Sequence, residues 1–248
     1  MTKIENIILD REEKYDPKEF DIWCFKHVDD IVEGVKLDLG NMTSCYPFEV
    51  NGIKWRSSEE LYLCGEFSNN TPEHFAIQHE LCATKSPYAS KRFIKSKYKR
   101  QVRGDFSSFR TQWMLWVVWQ KCLGNPSFRL KLLSIPDNIL LVEETTTDTG
   151  GSATVWGCKN SELILKRKQK EKELNEKYAD LTAKERKLRI NIELNAIRNV
   201  GIFTGMNNIG KILMICRHCL IHNAEPSIDY ALLESKNIYI FGEPIRFR

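Results

Sequence analysis

Four carboxylates stand where reacting groups would be useful. Glu59 and Glu66 lie seven residues apart in the stretch Ser58-Glu59-Glu60-Leu61-Tyr62-Leu63-Cys64-Gly65-Glu66-Phe67. On a helix that separation is two turns, about 10 Å along one face. It is wide for one reacting centre, so each acid would meet a different part of a ligand. Glu143 follows the apolar run at 139–142, and Asp148 falls in the Thr- and Gly-rich stretch 145–151. Paired carboxylates in unlike environments can divide general-acid and general-base work, because burial keeps one protonated while the other stays ionised. Each also has a plain structural reading. Glu59 suits a first helical turn, where the dipole favours an acid. Glu66 reads equally as a solvated helix residue, Glu143 as a buried acid paired with Arg217, and Asp148 as an Asx-turn acid.

A second set of residues is basic. Between residues 85 and 104 stand Lys85, Lys91, Arg92, Lys95, Lys97, Lys99, Arg100 and Arg103, with no acid and with Tyr88, Phe93 and Tyr98 interleaved. Such a tract suits a surface that follows phosphates, on nucleic acid or on a pyrophosphate. Lys91, Arg92, Lys95, Lys97, Lys99 and Arg100 are its candidates, and a solvated basic helix is the plain alternative. Asn207 and Gly210 flank the start of a helix predicted over 209–222, whose free N–H groups can hold a phosphate. A cap and a packing glycine would explain the same pair. Trp55 and Trp156 can stack on a base, although single tryptophans mostly build cores. Cys216-Arg217-His218-Cys219 with His222 has the residue types of a zinc site. All its ligands would have to converge from one helix, so core packing is the better explanation, and neither a metal nor a cofactor is expected.

These residues need elements to hold them. The run Ile22-Trp23-Cys24-Phe25 reads as a strand, and residues 47–55 as a hairpin whose Asn51-Gly52 favours a tight turn. Ser57 with Glu60 forms a capping-box pattern opening a helix, and Pro72 sits just inside the start of another over 71–83. Residues 105–123 read as one long buried helix closed by Asn125-Pro126. A helix over 127–134, a strand over 139–143 and a terminal strand over 238–241 follow. Residues 160–198 hold 11 basic and 7 acidic side chains with no Pro or Gly. They read as a charged helical hairpin turning near 179–181, with Thr182 and Glu185 as a second capping box.

Composition sets outer limits. The 248 residues are 42% hydrophobic with six Trp and twelve Phe, enough for a large core, and the net charge is +4. No apolar run reaches the length of a membrane span, and the charged N-terminus lacks a signal-peptide core, so a cytoplasmic location is expected. Eight cysteines, most beside apolar residues, read as buried free thiols.

Six segments, in order, resemble the NADAR/YbiA family. They are Leu39-Gly40-Asn41-Met42 with Pro47-Phe48; Trp55-Arg56-Ser57-Ser58-Glu59; Asp105-Phe106; Met114, Lys121, Asn125, Pro126, Leu132 and Leu133; Leu141-Val142-Glu143 with Asp148 and Trp156-Gly157; and Gly205-Met206-Asn207-Asn208-Ile209-Gly210 running on to Arg217. The resemblance implies an α+β, predominantly helical YbiA-like single domain. An N-terminal extension (1–21) would precede the domain (22–248), with 159–200 inserted as the helical hairpin.

It also implies a hydrolase that cleaves the N-glycosidic bond between a ribose and a base. Glu59, Glu66 and Asp148 would be catalytic. Asn41, Trp55, Glu143, Trp156, Gly157, Asn207, Gly210 and Arg217 would bind substrate. The leading expectation is removal of ADP-ribose from guanine bases of nucleic acid, which the basic tract suits. The alternatives are a glycosidase of phosphorylated riboflavin-pathway intermediates and a degenerate module that binds ADP-ribose or a nucleotide. DNA, a second copy or a protein partner docking on 160–198 would be compatible with this reading, and a membrane would not. The family helix carries a lysine associated with Schiff-base chemistry on the opened ribose, and Glu66 stands at that position. A carboxylate route, a lysine from elsewhere, or lost activity would each follow. The whole reading expects the Ser57-Ser58-Glu59-Glu60 helix start, the Val142-Glu143 strand and the Asn207-Gly210 helix start to wall one cavity.

Overall fold

Apolar runs without alternation become buried strands, and the apolar 3.6-residue periodicity becomes helices. The computed structural model describes residues 7–198 and 200–247. In chain order its strands are β1 (Glu13–Tyr15), β2 (Ile22–Phe25), β3 (Ile31–Val32), β4 (Val35–Lys36), β5 (Phe48–Val50), β6 (Ile53–Trp55), β7 (Leu140–Glu143), β8 (Phe203–Gly205), β9 (Tyr239–Ile240) and β10 (Glu243–Pro244). Its α-helices are α1 (Ser58–Glu66), α2 (Pro72–Cys82), α3 (Pro87–Ala89), α4 (Arg110–Gly124), α5 (Pro126–Leu133), α6 (Ala153–Trp156), α7 (Ser161–Lys177), α8 (Ala183–Asn195), α9 (Asn208–Ile221) and α10 (Tyr230–Ser235). The architecture is α+β and predominantly helical, as the sequence led us to expect. Among the described residues no helix is long and apolar enough to cross a membrane. The chain divides into two compact units, one from the N-terminal stretch to Gly40 with Ile135–His218, the other from Asn41–Ser134 with the stretch from Cys219 onward.

In the first unit β2 lies parallel to β7, with Ile22 opposite Leu140 and Phe25 opposite Glu143. All four β2 residues are buried, which explains a continuous apolar run where an exposed strand would alternate. β1 pairs antiparallel with β8, so residues 13–15 of the expected N-terminal extension are woven into this unit. Residues 1–6 of that extension lie outside the described residues. α7 and α8 form the charged hairpin, burying Leu163, Leu174 and Ile190. Thr182 and Glu185 close a complete capping box at its turn.

In the second unit the β5–β6 hairpin turns through Asn51 and Gly52 at φ 51° and 77°, the left-handed geometry its sequence predicts. α1 is buried at all nine residues. It packs tightly on α4, since a Cβ at Gly65 would overlap Trp113 Nε1. The helix expected over 105–123 is divided. A 3-10 turn covers Phe106–Ser108, Phe109 breaks the geometry at φ −133°, and α4 starts at Arg110. The amide and hydroxyl of Ser108 both donate back to the Asp105 carbonyl, at 2.9 and 2.7 Å, which favours the tighter turn.

Candidate active site

The first turn of α1 is fixed from both sides. Ser57 caps it by accepting the Glu60 amide at 3.3 Å. The Glu60 carboxylate does not close the expected reciprocal box on Ser57. It accepts instead from the Arg56 amide at 3.1 Å and from the Arg56 guanidinium. The same guanidinium donates to the carbonyls of Thr84, at 2.6 Å, and Cys82, at 3.2 Å, so it latches the start of α1 to the end of α2. Glu60 is thus consumed in positioning, and Glu59 and Glu66 are left to meet other partners.

Those partners come from the basic tract. Residues Ser90–Lys95 form a π-helix, a wide turn that is rare and recurs at functional sites. Ser90 anchors it, donating to the Leu81 carbonyl at 2.8 Å and sharing a 2.6 Å hydrogen bond with the Thr84 hydroxyl. From this turn Lys95 Nζ donates to Glu66 Oε1 at 2.6 Å, and Lys91 Nζ stands 2.9 Å from Glu59 Oε1. The carboxylates are 4% and 5% exposed and the lysine side chains 35% and 41%, so each pair joins a buried acid to an amine that solvent reaches. Burial excludes the solvated-helix reading of Glu66. It also pushes the Glu66 pKa above the ordinary carboxylate value; Lys95 pulls it back and the charge of Glu59 adds to the rise. Glu66 Oε2 is buried with no hydrogen-bond partner among the described residues, as is Ser58 Oγ. An acceptor held in that state costs free energy unless a ligand group completes it.

The phosphate-following surface expected of the tract needs correction at Lys91 and Lys95. Lys91 and Lys95 turn toward α1. Lys97 pairs with Glu80 at 2.9 Å, and Arg92 lies over the rings of Tyr88 and Phe93, 5.9 and 5.6 Å from their centroids. Lys99 and Arg100 are exposed on a 3-10 turn. Trp55 is 1% exposed and stacks on Phe241 at 6.0 Å, which makes it a core residue with no free face for a base. Asn41 is buried and its carbonyl accepts the Glu59 amide at 3.0 Å, so it adjoins the start of α1.

The remaining expected residues lie in the first unit, where the Glu143 strand and the Asn207 helix start do come together. Asn207, at φ 52°, donates from Nδ2 to the Leu141 carbonyl at 2.9 Å and accepts the Glu143 amide on Oδ1 at 3.1 Å. A Cβ at Gly210 would overlap the Leu141 carbonyl oxygen, and one at Gly157 would fall 2.5 Å from that of Glu143. These residues join backbone to backbone. The sequence reading pairs Arg217 with Glu143. Its carboxylate partner in the fold is Asp137, at 3.6 Å, and its Nη2 donates to the carbonyls of Asp137 and Ile139 at 2.9 and 2.8 Å. Asp148 is half-exposed and held by Lys26 at 3.1 Å, and Trp156 is half-buried.

Sequence reasoning missed Lys26 and Lys211. Lys211 is 1% exposed and donates to the carbonyls of Ile8 and Arg11, both at 2.8 Å. Reasoning from sequence also separated the acids of α1 from the lysines that neutralise two of them. The signal was present: residues 57–67 carry three acids and no cation, and the tract at 85–103 carries only cations.

No family model matches the chain, and no curated protein matches it. Among solved structures it is similar to the NMR structure of the Escherichia coli protein YbiA, with 21% sequence identity over 71% of this chain and 83% of that one and a TM-score of 0.42.

Proposed function

We propose that the protein is an N-glycosidase that cleaves the bond between a ribose and a base, with ADP-ribosylated bases of nucleic acid as its substrate class. Glu66 and Lys95 are its reacting pair. What supports the reading is the ordered set of family-like segments together with one observation in the second unit: Lys95 brings its amine to the carboxylate that replaces the family lysine. The helix itself carries no amine, and Lys95 supplies one 2.6 Å from Glu66 Oε1.

The chemistry then balances with the groups at hand. Lys95 passes a proton to Glu66, which burial makes a stronger base than an ordinary carboxylate. The neutral amine attacks the anomeric carbon, the carbon–nitrogen bond to the base breaks, and Glu66 returns its proton to the departing nitrogen. The ring then opens, with one amine proton passing to the ring oxygen and a protonated imine remaining on Lys95. Water adds to that imine and releases the sugar as its aldehyde and Lys95 as its ammonium. The Glu59 carboxylate favours the positive charge that develops on the sugar.

Borohydride reduction during turnover of an oligonucleotide carrying ADP-ribosylated guanosine tests this. The expected result is release of ADP-ribose and a reduced sugar adduct on Lys95, found by peptide mass and absent from Lys95→Met. Adduct on another lysine, or tight binding of ADP-ribose without turnover, would overturn the assignment. Turnover confined to small phosphorylated riboflavin precursors would keep the bond type and replace the substrate class.

A further inference from the structure

Two thiols meet beside this pair. Cys64 lies on α1 between Glu59 and Glu66, and Cys82 is the last residue of α2. Their sulfurs are 3.9 Å apart, in van der Waals contact, and both cysteines are free. Their surroundings differ. Cys64 is fully buried, and burial together with the neighbouring Cys82 pushes its thiol pKa well up. Cys82 is half-buried, so a small reagent can reach it. Its own backbone carbonyl accepts from Arg56, which places a guanidinium beside it.

We propose that Cys82 and Cys64 form a thiol-oxidation site, with Cys82 the reacting thiol, Cys64 the resolving one and a hydroperoxide the oxidant. Cys82 thiolate attacks the peroxide oxygen, the oxygen–oxygen bond breaks, and with one proton taken up the products are an alcohol or water and a sulfenic acid on Cys82. The Cys64 thiol then attacks that sulfur, water leaves, and a disulfide remains. Two thiols have been oxidised by two electrons and one peroxide reduced.

The bond needs its sulfurs at about 2 Å, so the contact must contract. α1 has little freedom to supply that movement, because Gly65 is already seated on the Trp113 ring. Cys82 has more, standing at a helix end before a turn. Movement there acts on what the end of α2 holds: the Cys82 and Thr84 carbonyls that take the Arg56 guanidinium, and the Leu81 carbonyl and Thr84 hydroxyl that anchor Ser90. Ser90 begins the π-helix of Lys91 and Lys95. Oxidation therefore loosens both lysines from Glu59 and Glu66. The expected loss of turnover rests on the glycosidase reading; the disulfide and the freed lysines do not.

The experiment treats the full chain with hydrogen peroxide, blocks remaining thiols and maps peptides by mass, while an amine-acylating reagent reports on Lys91 and Lys95. The expected result is a Cys64–Cys82 disulfide reversed by dithiothreitol and a several-fold rise in acylation of both lysines. Glycosidase turnover, where present, falls in parallel. Cys82→Ser should retain basal turnover and lose all three responses, and Cys64→Ala should stop at the sulfenic acid on Cys82. Both thiols still free after treatment, a disulfide between another pair, or a disulfide with unchanged acylation would overturn the proposal. Absent turnover with the disulfide and acylation intact would fail the glycosidase reading alone.

Discussion

α1 and the start of α9 make an informative pair. Both lie within family-like segments, and both are rich in buried polar groups. At the start of α9 the Asn207 side chain is spent on the backbone. The Asn207 amide bridges the Glu143 amide and the Leu141 carbonyl, and Gly210 is the residue that lets the helix approach β7. On α1 Glu60 is consumed by the Arg56 amide and guanidinium. Glu59 and Glu66 hold lysine side chains that solvent can reach, and one Glu66 oxygen has no hydrogen-bond partner among the described residues. The difference separates residues that build the fold from residues that can react. A buried polar group whose hydrogen bonds all end on backbone has nothing to offer a ligand.

Substitutions on the two sides should therefore fail differently. The largest effect is expected at the proposed reacting pair. Lys95→Met and Glu66→Gln should each lower turnover of an ADP-ribosylated oligonucleotide by about 10²–10⁴-fold, the range a positioned proton-transfer group contributes. Circular dichroism should stay close to that of the native protein, and both variants should still unfold cooperatively. If either variant lost its fold instead, α1 would belong with the start of α9.

The reverse is expected of Asn207→Ala. It leaves the Glu143 amide and the Leu141 carbonyl without their partner, and it places alanine at φ 52°. Together these should cost about 3–5 kcal/mol of stability, read as a shift in the denaturant midpoint. Gly210→Ala should act in the same direction, since its new methyl group would overlap the Leu141 carbonyl oxygen. Native stability in both variants would remove the structural role assigned here.

This contrast was only partly legible in the sequence. Local signals were read correctly where the chain decides its own conformation: the Asn51-Gly52 turn, the helix start at Ser57, Pro72 just inside the start of α2, and the Thr182–Glu185 box of the charged hairpin. Helical periodicity placed α4 but not its break at Phe109, because the break depends on Ser108 turning back to Asp105. The destinations of long charged side chains were not legible. Lys95 reaches Glu66 across 29 residues of sequence, and Arg217 chooses Asp137 over Glu143. Such pairings are settled by tertiary packing, and neither spacing nor periodicity records them. Trp55 shows the same limit from the apolar side, since its partner Phe241 is far along the chain.

A smaller effect should appear with pH. Glu66 is raised above its ordinary value of 4.5 in the folded protein, so the folded chain holds that proton more tightly than the unfolded one. Its contribution to stability is full below 4.5 and is lost as pH rises through the folded value. Glu66→Gln resembles the protonated form at every pH. The two proteins should therefore match in acid, and the native one should become the less stable of the two as pH rises. Parallel stability curves would mean that Glu66 is not held in the desolvated state described for it.

The smallest effect is expected at Ser57, and it asks what holds α1 in place. Ser57→Ala removes one capping hydrogen bond, from the Glu60 amide at 3.3 Å, and should cost about 1 kcal/mol. The Arg56 guanidinium still grips the Glu60 carboxylate and the carbonyls of Cys82 and Thr84, so the helix start keeps its position. The melting temperature should fall slightly while turnover and the Lys95 adduct persist. A loss of turnover out of proportion to that small destabilisation would show that the cap, and not the arginine latch, sets the register of Glu59 and Glu66 against their lysines.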